Sequence, residues 1–168
     1  MHITEKNRRV ALGFLEHVGS ISIARYPGKN PKINWQRVLH SWDGKAEGEI
    51  LRRLTPDIPG LHMEYYVCDG RLLQHVDEVD DGVITMGIVL QGSEDLQLNA
   101  SGSRIEIGEG DIFALDPKKR HGAETNKSFV FATRDYRLHE LPTLEKFRRK
   151  TEKDLRKISA HYPVLEPA

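Results

Sequence analysis

The chain has 168 residues, enough for one compact domain with a core of its own. Its 25 Lys plus Arg balance 25 Asp plus Glu, so no overall charge draws it to nucleic acid or to an anionic membrane. A single cysteine, Cys68, excludes an intramolecular disulfide and a cysteine-rich zinc site, and no apolar run reaches the roughly 18 residues of a membrane span.

The first stretch, MHITEKNRRVALGFLEHVGS, predicts a helix. Thr4 offers a cap, Val10, Leu12, Phe14, Leu15 and Val18 an apolar face, and Gly19 a stop. Its charged residues enclose a short periodic segment. That is not a signal-peptide layout, and the expected location is cytoplasmic. SISIARYPG reads as a short strand closed by a Pro-Gly turn. INWQRVLHSW and GEILRRL fit short helices or strands equally. Residues 1–54 are therefore expected as a helical or mixed extension.

Residues 55–137 read as β. LHMEYYVC, RLLQHV, GVITMGIVLQG, EDLQLNA, SRIEIGEG, DIFALDP and SFVFATRDY are short and rich in β-branched and aromatic residues. Gly, Asp and Asn punctuate them at close to regular spacing, the pattern of a sandwich or barrel rather than of βαβ units. NASGS is a tight hairpin signal.

Residues 142–160 read as a helix with Pro142 in its first turn. Leu144, Phe147, Leu155 and Ile158 form a narrow apolar stripe, bridged by Thr151, and the other faces are charged. The closing HYPVLEPA is expected as a tail.

Within Gly87–Asn126 the chain resembles a cupin. IVLQGSEDLQL matches the hairpin that ends the family's first conserved region. Gly110, Asp111, Pro117, His121 and Asn126 match its second. The physical roles are plain. Glycine permits a sharp corner between strands, Asp111 can bond its own turn, and Pro117 breaks the edge before the strand that aims His121 inward. Two departures stand out. Proline to histidine is one residue short, and Lys and Arg replace the glycine-containing link. The resemblance implies a mainly β fold, a single cupin-like β-barrel (jelly roll) with N-terminal helical segments and a C-terminal helix outside. PGLHMEYYVCDG and the helix that follows the barrel are also similar to the sensor domains of AraC-type regulators. Those bind a small effector in the barrel and dimerise through the helix. Their DNA-reading helices have no counterpart in this sequence, so direct nucleic-acid binding is not expected.

Metal-binding cupins bring two histidines and a glutamate from the strand before the first hairpin. Counting back from Gly92, those positions fall near Glu78, Asp80 and Thr85, and His75 lies too early. No cofactor is expected. A divalent metal, if present, would need Glu78, Asp80 and His121, because carboxylates suit hard cations. The plainer reading of HVDEVDDG is a solvated acidic loop. His121 has three readings: a ligand contact, a metal ligand, or a rim histidine on the basic turn KKRHG. On the strand GVITMGIVLQG, Ile84, Met86, Ile88 and Leu90 alternate with Thr85, Gly87, Val89 and Gln91. The first set is the more uniformly apolar. Expected ligand contacts are His121, Met86, Ile88, Phe113 and Tyr66. Cys68 lacks a catalytic context and is expected as a small core residue.

The expected function is that of a non-enzymatic regulatory domain. It would sense a small molecule or bind a protein, and act as a homodimer without membrane contact. Two alternatives stay open. One is a cupin enzyme, a metal-dependent oxygenase or an isomerase using His121. The other is a small regulator that occludes a partner protein.

Overall fold

The structure is a computed structural model that describes residues 21–25, 33, 35, 38, 45–46, 51–54, 58–100 and 102–162. Alternating apolar residues drive these segments into one antiparallel sheet. Among the described residues it contains β1 (Ile21–Arg25), β2 (Lys45–Ala46), β3 (Leu51–Leu54), β4 (Glu64–His75), β5 (Val83–Gln91), β6 (Gln97–Ala100), β7 (Ser103–Glu106), β8 (Asp111–Leu115) and β9 (His121–Arg137). Their order is β1-β8-β5-β9-β4-β3-β2, and β6 pairs with both β9 and β7.

Two long strands curl this sheet. The early part of β9 pairs with β6 and its later part with β5. Strand β4 accompanies β9 from His121 to Thr133, with register shifts between Asp69 and Arg71 and between Leu72 and His75. Such shifts bend a strand and raise its twist. Gly70 sits at the first of them with φ of 87°. LHMEYYVC and RLLQHV are therefore one bent strand rather than two. SFVFATRDY is the second half of a strand that already begins at His121. The result is the curled antiparallel barrel that the sequence predicts.

The hairpin signals hold. Ala100 pairs with Ser103 across the NASGS turn, where Gly102 has φ of 82°. At the Gly-Asp corner Gly110 has φ of 86°, a conformation costly for any residue with a Cβ. The Asp111 carboxylate accepts from the Gly108 N–H at 2.8 Å and so bonds its own turn.

The N-terminal region contributes strands to the same sheet. ISIAR supplies β1, which pairs with β8 from Ile21 opposite Leu115 to Arg25 opposite Asp111. Within GEILRRL, Leu51–Leu54 form strand β3 against β4. Trp35 and Val38 are helical and buried. The helix expected at Thr4–Val18 lies outside the described residues, as do residues 163–168 of the tail.

Helix α1 (Leu144–His161) follows β9 after a short 3-10 turn. Thr143 caps it, its hydroxyl accepting from the Lys146 N–H at 3.1 Å. Pro142 thus stands just outside the helix, not in its first turn. The expected stripe is buried: Phe147, Thr151 and Ile158 are 0% exposed and Leu155 1%. Full burial of a large apolar side chain contributes about 1.5–3 kcal/mol. The stripe lies against Met86, Ile88, Leu90, Tyr65 and Val130, so this surface belongs to the chain's own core. It is not free to serve as a dimer seam.

One carboxylate fastens the helix. Asp154, fully buried, accepts from the His62 and Met63 N–H groups at 2.9 Å and from the Tyr65 hydroxyl at 2.8 Å. The His62 Nδ1 lies 2.9 Å from it as well. Burial, then the charge of Asp154, then the hydrogen bond to it push the Tyr65 phenol far above its ordinary pKa. The hydroxyl therefore remains a donor.

Candidate functional site

The sheet has two faces, and β5 shows which is which. Met86, Ile88 and Leu90 point to the helix. Val89 joins Phe113, Phe129, Phe131, Leu96 and Cys68 in the barrel interior. The uniformly apolar set is therefore the outer one, because a docked helix needs an unbroken apolar platform. The interior set tolerates glycine because Phe113 fills the space above it. A Cβ on Gly87 would stand 2.2 Å from the Phe113 ring. Cys68 is buried there, and burial followed by nearby Asp69 pushes its thiol up to about 11.

A cavity of about 480 Å³ opens from this interior. Leu72, Leu98, Phe113, Leu115 and Phe131 supply its apolar walls. Glu64, Tyr66, Thr85, Thr133 and Asp135 line one polar part, and His75, Asp77 and His121 another. Among the expected ligand contacts, His121, Phe113 and Tyr66 line the cavity. Met86 and Ile88 do not; they lie under the helix.

The second polar part is built by strand register. His75 ends β4, His121 begins β9, and the two are paired across the ladder with ring centroids 4.4 Å apart. Gly122 makes that approach possible. A Cβ there would lie 2.6 Å from the Leu72 carbonyl oxygen, so any side chain would push β9 off β4. Asp77 follows β4 on the connection to β5 and is held there by the turn after β8. Its N–H donates to the Pro117 carbonyl at 2.8 Å.

Donor atoms of His75, Asp77 and His121 all lie within 4.8 Å of one another. Asp77 carboxylate oxygens stand 3.2 Å from His75 Nε2 and 3.3 Å from His121 Nε2. Each Nδ1 is committed elsewhere, to the Leu73 carbonyl for His75 and the Lys119 carbonyl for His121, both at 2.8 Å. A carbonyl only accepts, so each Nδ1 keeps its proton. That leaves Nε2 as the variable atom, able to hold a proton toward Asp77 or a lone pair toward a cation. The hydrogen bonds from His121 and then His75 hold the Asp77 carboxyl far below the usual carboxylate range. The bond to Asp77 in turn raises the pKa of His75, against the opposing effect of burial.

Two imidazoles with backbone-anchored Nδ1 and one carboxylate are a fitting donor set for a divalent transition metal. This trio differs from the set expected from the sequence. Glu78 and Asp80 are exposed and stay outside it; Asp80 faces Arg137 at 3.8 Å. The solvated-loop reading suits them. Counting back from Gly92 misses His75 and Asp77 because it assumes a short connection before β5. The usable signal is the close spacing of a histidine and a carboxylate, His75 and Asp77, just where β4 ends. The rim reading of His121 also gives way. Lys118, Lys119 and Arg120 are exposed, with Lys118 paired to Asp81, whereas His121 is only 7% exposed.

No protein-family model and no curated protein matches the chain. Solved structures similar to it include an RmlC-like cupin from Shewanella frigidimarina NCIMB 400, 16% identical with a TM-score of 0.42, the match covering 71% of this chain and 96% of that one. KdgF from Halomonas sp. is 20% identical, TM-score 0.41, covering 60% and 89%. The cupin domain of Schizosaccharomyces pombe Cnp3 is 14% identical, TM-score 0.41, covering 66% and 77%. Likenesses of this extent say nothing of ligand or activity. The cupin-like residues Gly110, Asp111, Pro117 and His121 sit on a curled antiparallel barrel, and His121 faces its cavity.

Proposed function

We propose that this chain is a small-molecule-binding barrel whose cavity is anchored at one polar end by a divalent metal ion held by His75 Nε2, His121 Nε2 and Asp77. The observation that carries the reading is the convergence of these three donors, within 4.8 Å, at a cavity of about 480 Å³. That volume suits a small ligand, and apolar walls with a few placed polar groups are the ordinary make-up of such sites. The metal would supply a Lewis-acidic contact for an oxygen or nitrogen of the ligand. The chain's own residues do the rest. The Leu73 and Lys119 carbonyls orient the imidazoles, Gly122 keeps the strands close, and the phenylalanines exclude water.

Binding without turnover, as in a sensor, needs only the cavity and its anchor. An enzyme would use the same trio, because three protein donors leave positions free for substrate. The first experiment is elemental analysis of protein purified without chelator and then equilibrated with Zn²⁺, Mn²⁺ or Ni²⁺. About one ion per chain, lost in both His75→Ala and Asp77→Ala, is the expected result. Failure of the folded protein to retain any of these ions would overturn the metal anchor. A homodimer would use a face other than the buried stripe of α1.

A further inference from the structure

The cavity lining carries information about the charge of the ligand, given the cavity reading above. Among the described residues it includes three carboxylates, Glu64, Asp77 and Asp135, and no lysine or arginine. Two of the three are engaged. Glu64 accepts from Arg53 and from the Tyr66 hydroxyl, each at 2.8 Å. Asp77 lies between His75 and His121. Asp135 differs. Its one side-chain hydrogen bond among the described residues comes from the Thr85 hydroxyl at 2.7 Å; that bond fixes one oxygen, and the rest of the carboxylate is exposed to solvent with no ion-pair partner among the described residues. The adjacent cations are directed elsewhere, Arg134 to the His62 carbonyl at 3.0 Å and Arg137 toward Asp80 at 3.8 Å.

A carboxylate accepts and never donates, so this wall favours a ligand group that donates, most strongly one that is positively charged. An anionic group there would meet Asp135 and Glu64 with no lysine or arginine of the lining to answer it. We propose that the cavity selects an organic amine, its ammonium set against Asp135 and its apolar ring or chain on Phe113, Phe131 and Leu98. Thr85 is the positioning residue, because its hydroxyl orients the carboxylate.

The test is calorimetric titration of the full chain, freed of metal by a chelator, with benzylamine, benzyl alcohol and benzoate, which share one ring and differ in charge. Benzylamine should bind about tenfold more tightly than benzyl alcohol, the usual advantage of a charge-assisted hydrogen bond, and benzoate most weakly. In Asp135→Asn, which keeps an acceptor for Thr85, the amine advantage should fall to about twofold or less while benzyl alcohol is unchanged. Asp135→Ser is the second variant, and melting curves check that both are folded. Equal binding of amine and alcohol, tighter binding of benzoate, or an amine preference that survives both variants would overturn the proposal and leave the cavity reading standing. Absence of binding by all three probes would overturn both.

Discussion

Two clusters in this molecule use the same side-chain chemistry, one aspartate with histidine, and put it to opposite ends. At Asp154 the carboxylate is buried and takes two backbone N–H groups, a tyrosine hydroxyl and the His62 ring. Three of those partners sit on the segment entering β4, so the cluster fastens α1 to the sheet. At Asp77 the carboxylate is 42% exposed, and both side-chain partners are imidazoles that line a cavity. The first cluster is saturated by donors that the fold fixes in place. The second leaves nitrogen atoms whose occupant can change. Saturation marks a structural lock, and spare donors beside a void mark a site.

The largest expected effect breaks the lock. Asp154→Ala strands the N–H groups of His62 and Met63 and the Tyr65 hydroxyl in the interior, and should cost about 3–5 kcal/mol in denaturant unfolding. Asp77→Ala removes a partly exposed partner and should cost about 1 kcal/mol or less. Equal losses would erase the distinction between the two clusters.

Two glycines sharpen it further. Gly122→Ala drives a Cβ into the Leu72 carbonyl and should destabilise by about 1–3 kcal/mol while weakening metal retention, because His121 is displaced from His75. Gly110→Val forces a side chain into φ of 86° and should cost a similar amount, about 1–3 kcal/mol. Gly110 lies at the β7–β8 corner, outside the trio, so this variant should keep its metal. Unfolding curves paired with metal analysis separate the two cases. Loss of metal in both variants, or in neither, would contradict the placement of the site.

Much of this architecture is legible in the residues. Alternation, punctuation and the Gly110–Asp111 corner announce the barrel, and the spacing of Phe147, Leu155 and Ile158 announces the helix. The face of β5 is not legible. Periodicity shows that Met86 and Thr85 point in opposite directions but not which way is inward, and the helix takes the more apolar side. The site is half legible for a related reason. His121 follows from its proline and corner. His75 and Asp77 depend on a bent β4 and on the register that pairs His75 with His121, and both are properties of the assembled sheet. Asp154 looks like one more charge on a charged helix until the strand entrance is folded against it.

The smallest expected effect is in pH. In metal-free protein, His75 has a raised pKa, so its contribution is complete below its ordinary value of 6.5 and is lost as pH rises through the folded value. Asp77 has a lowered pKa, so its contribution is present above 3.8 and is lost as pH falls through the folded value. The trio therefore stabilises most between these two values and less toward pH 8. With Asp77 partly exposed, the difference should stay under about 1 kcal/mol. Unfolding midpoints at pH 5.5 and 8 should differ more for the wild type than for Asp77→Asn. Identical profiles would show that the trio does not titrate as a unit.

The most direct measurement places both clusters in one spectrum. Imidazole ¹⁵N–¹H correlation spectra, recorded during titration with Zn²⁺, report the state of each ring nitrogen. The Nε2 signals of His75 and His121 should move together and saturate near one equivalent, with their Nδ1 protons retained, while the His62 signals stay in place. Unmoved His75 and His121 signals, or an equal response at His62, would contradict the assignment of this site.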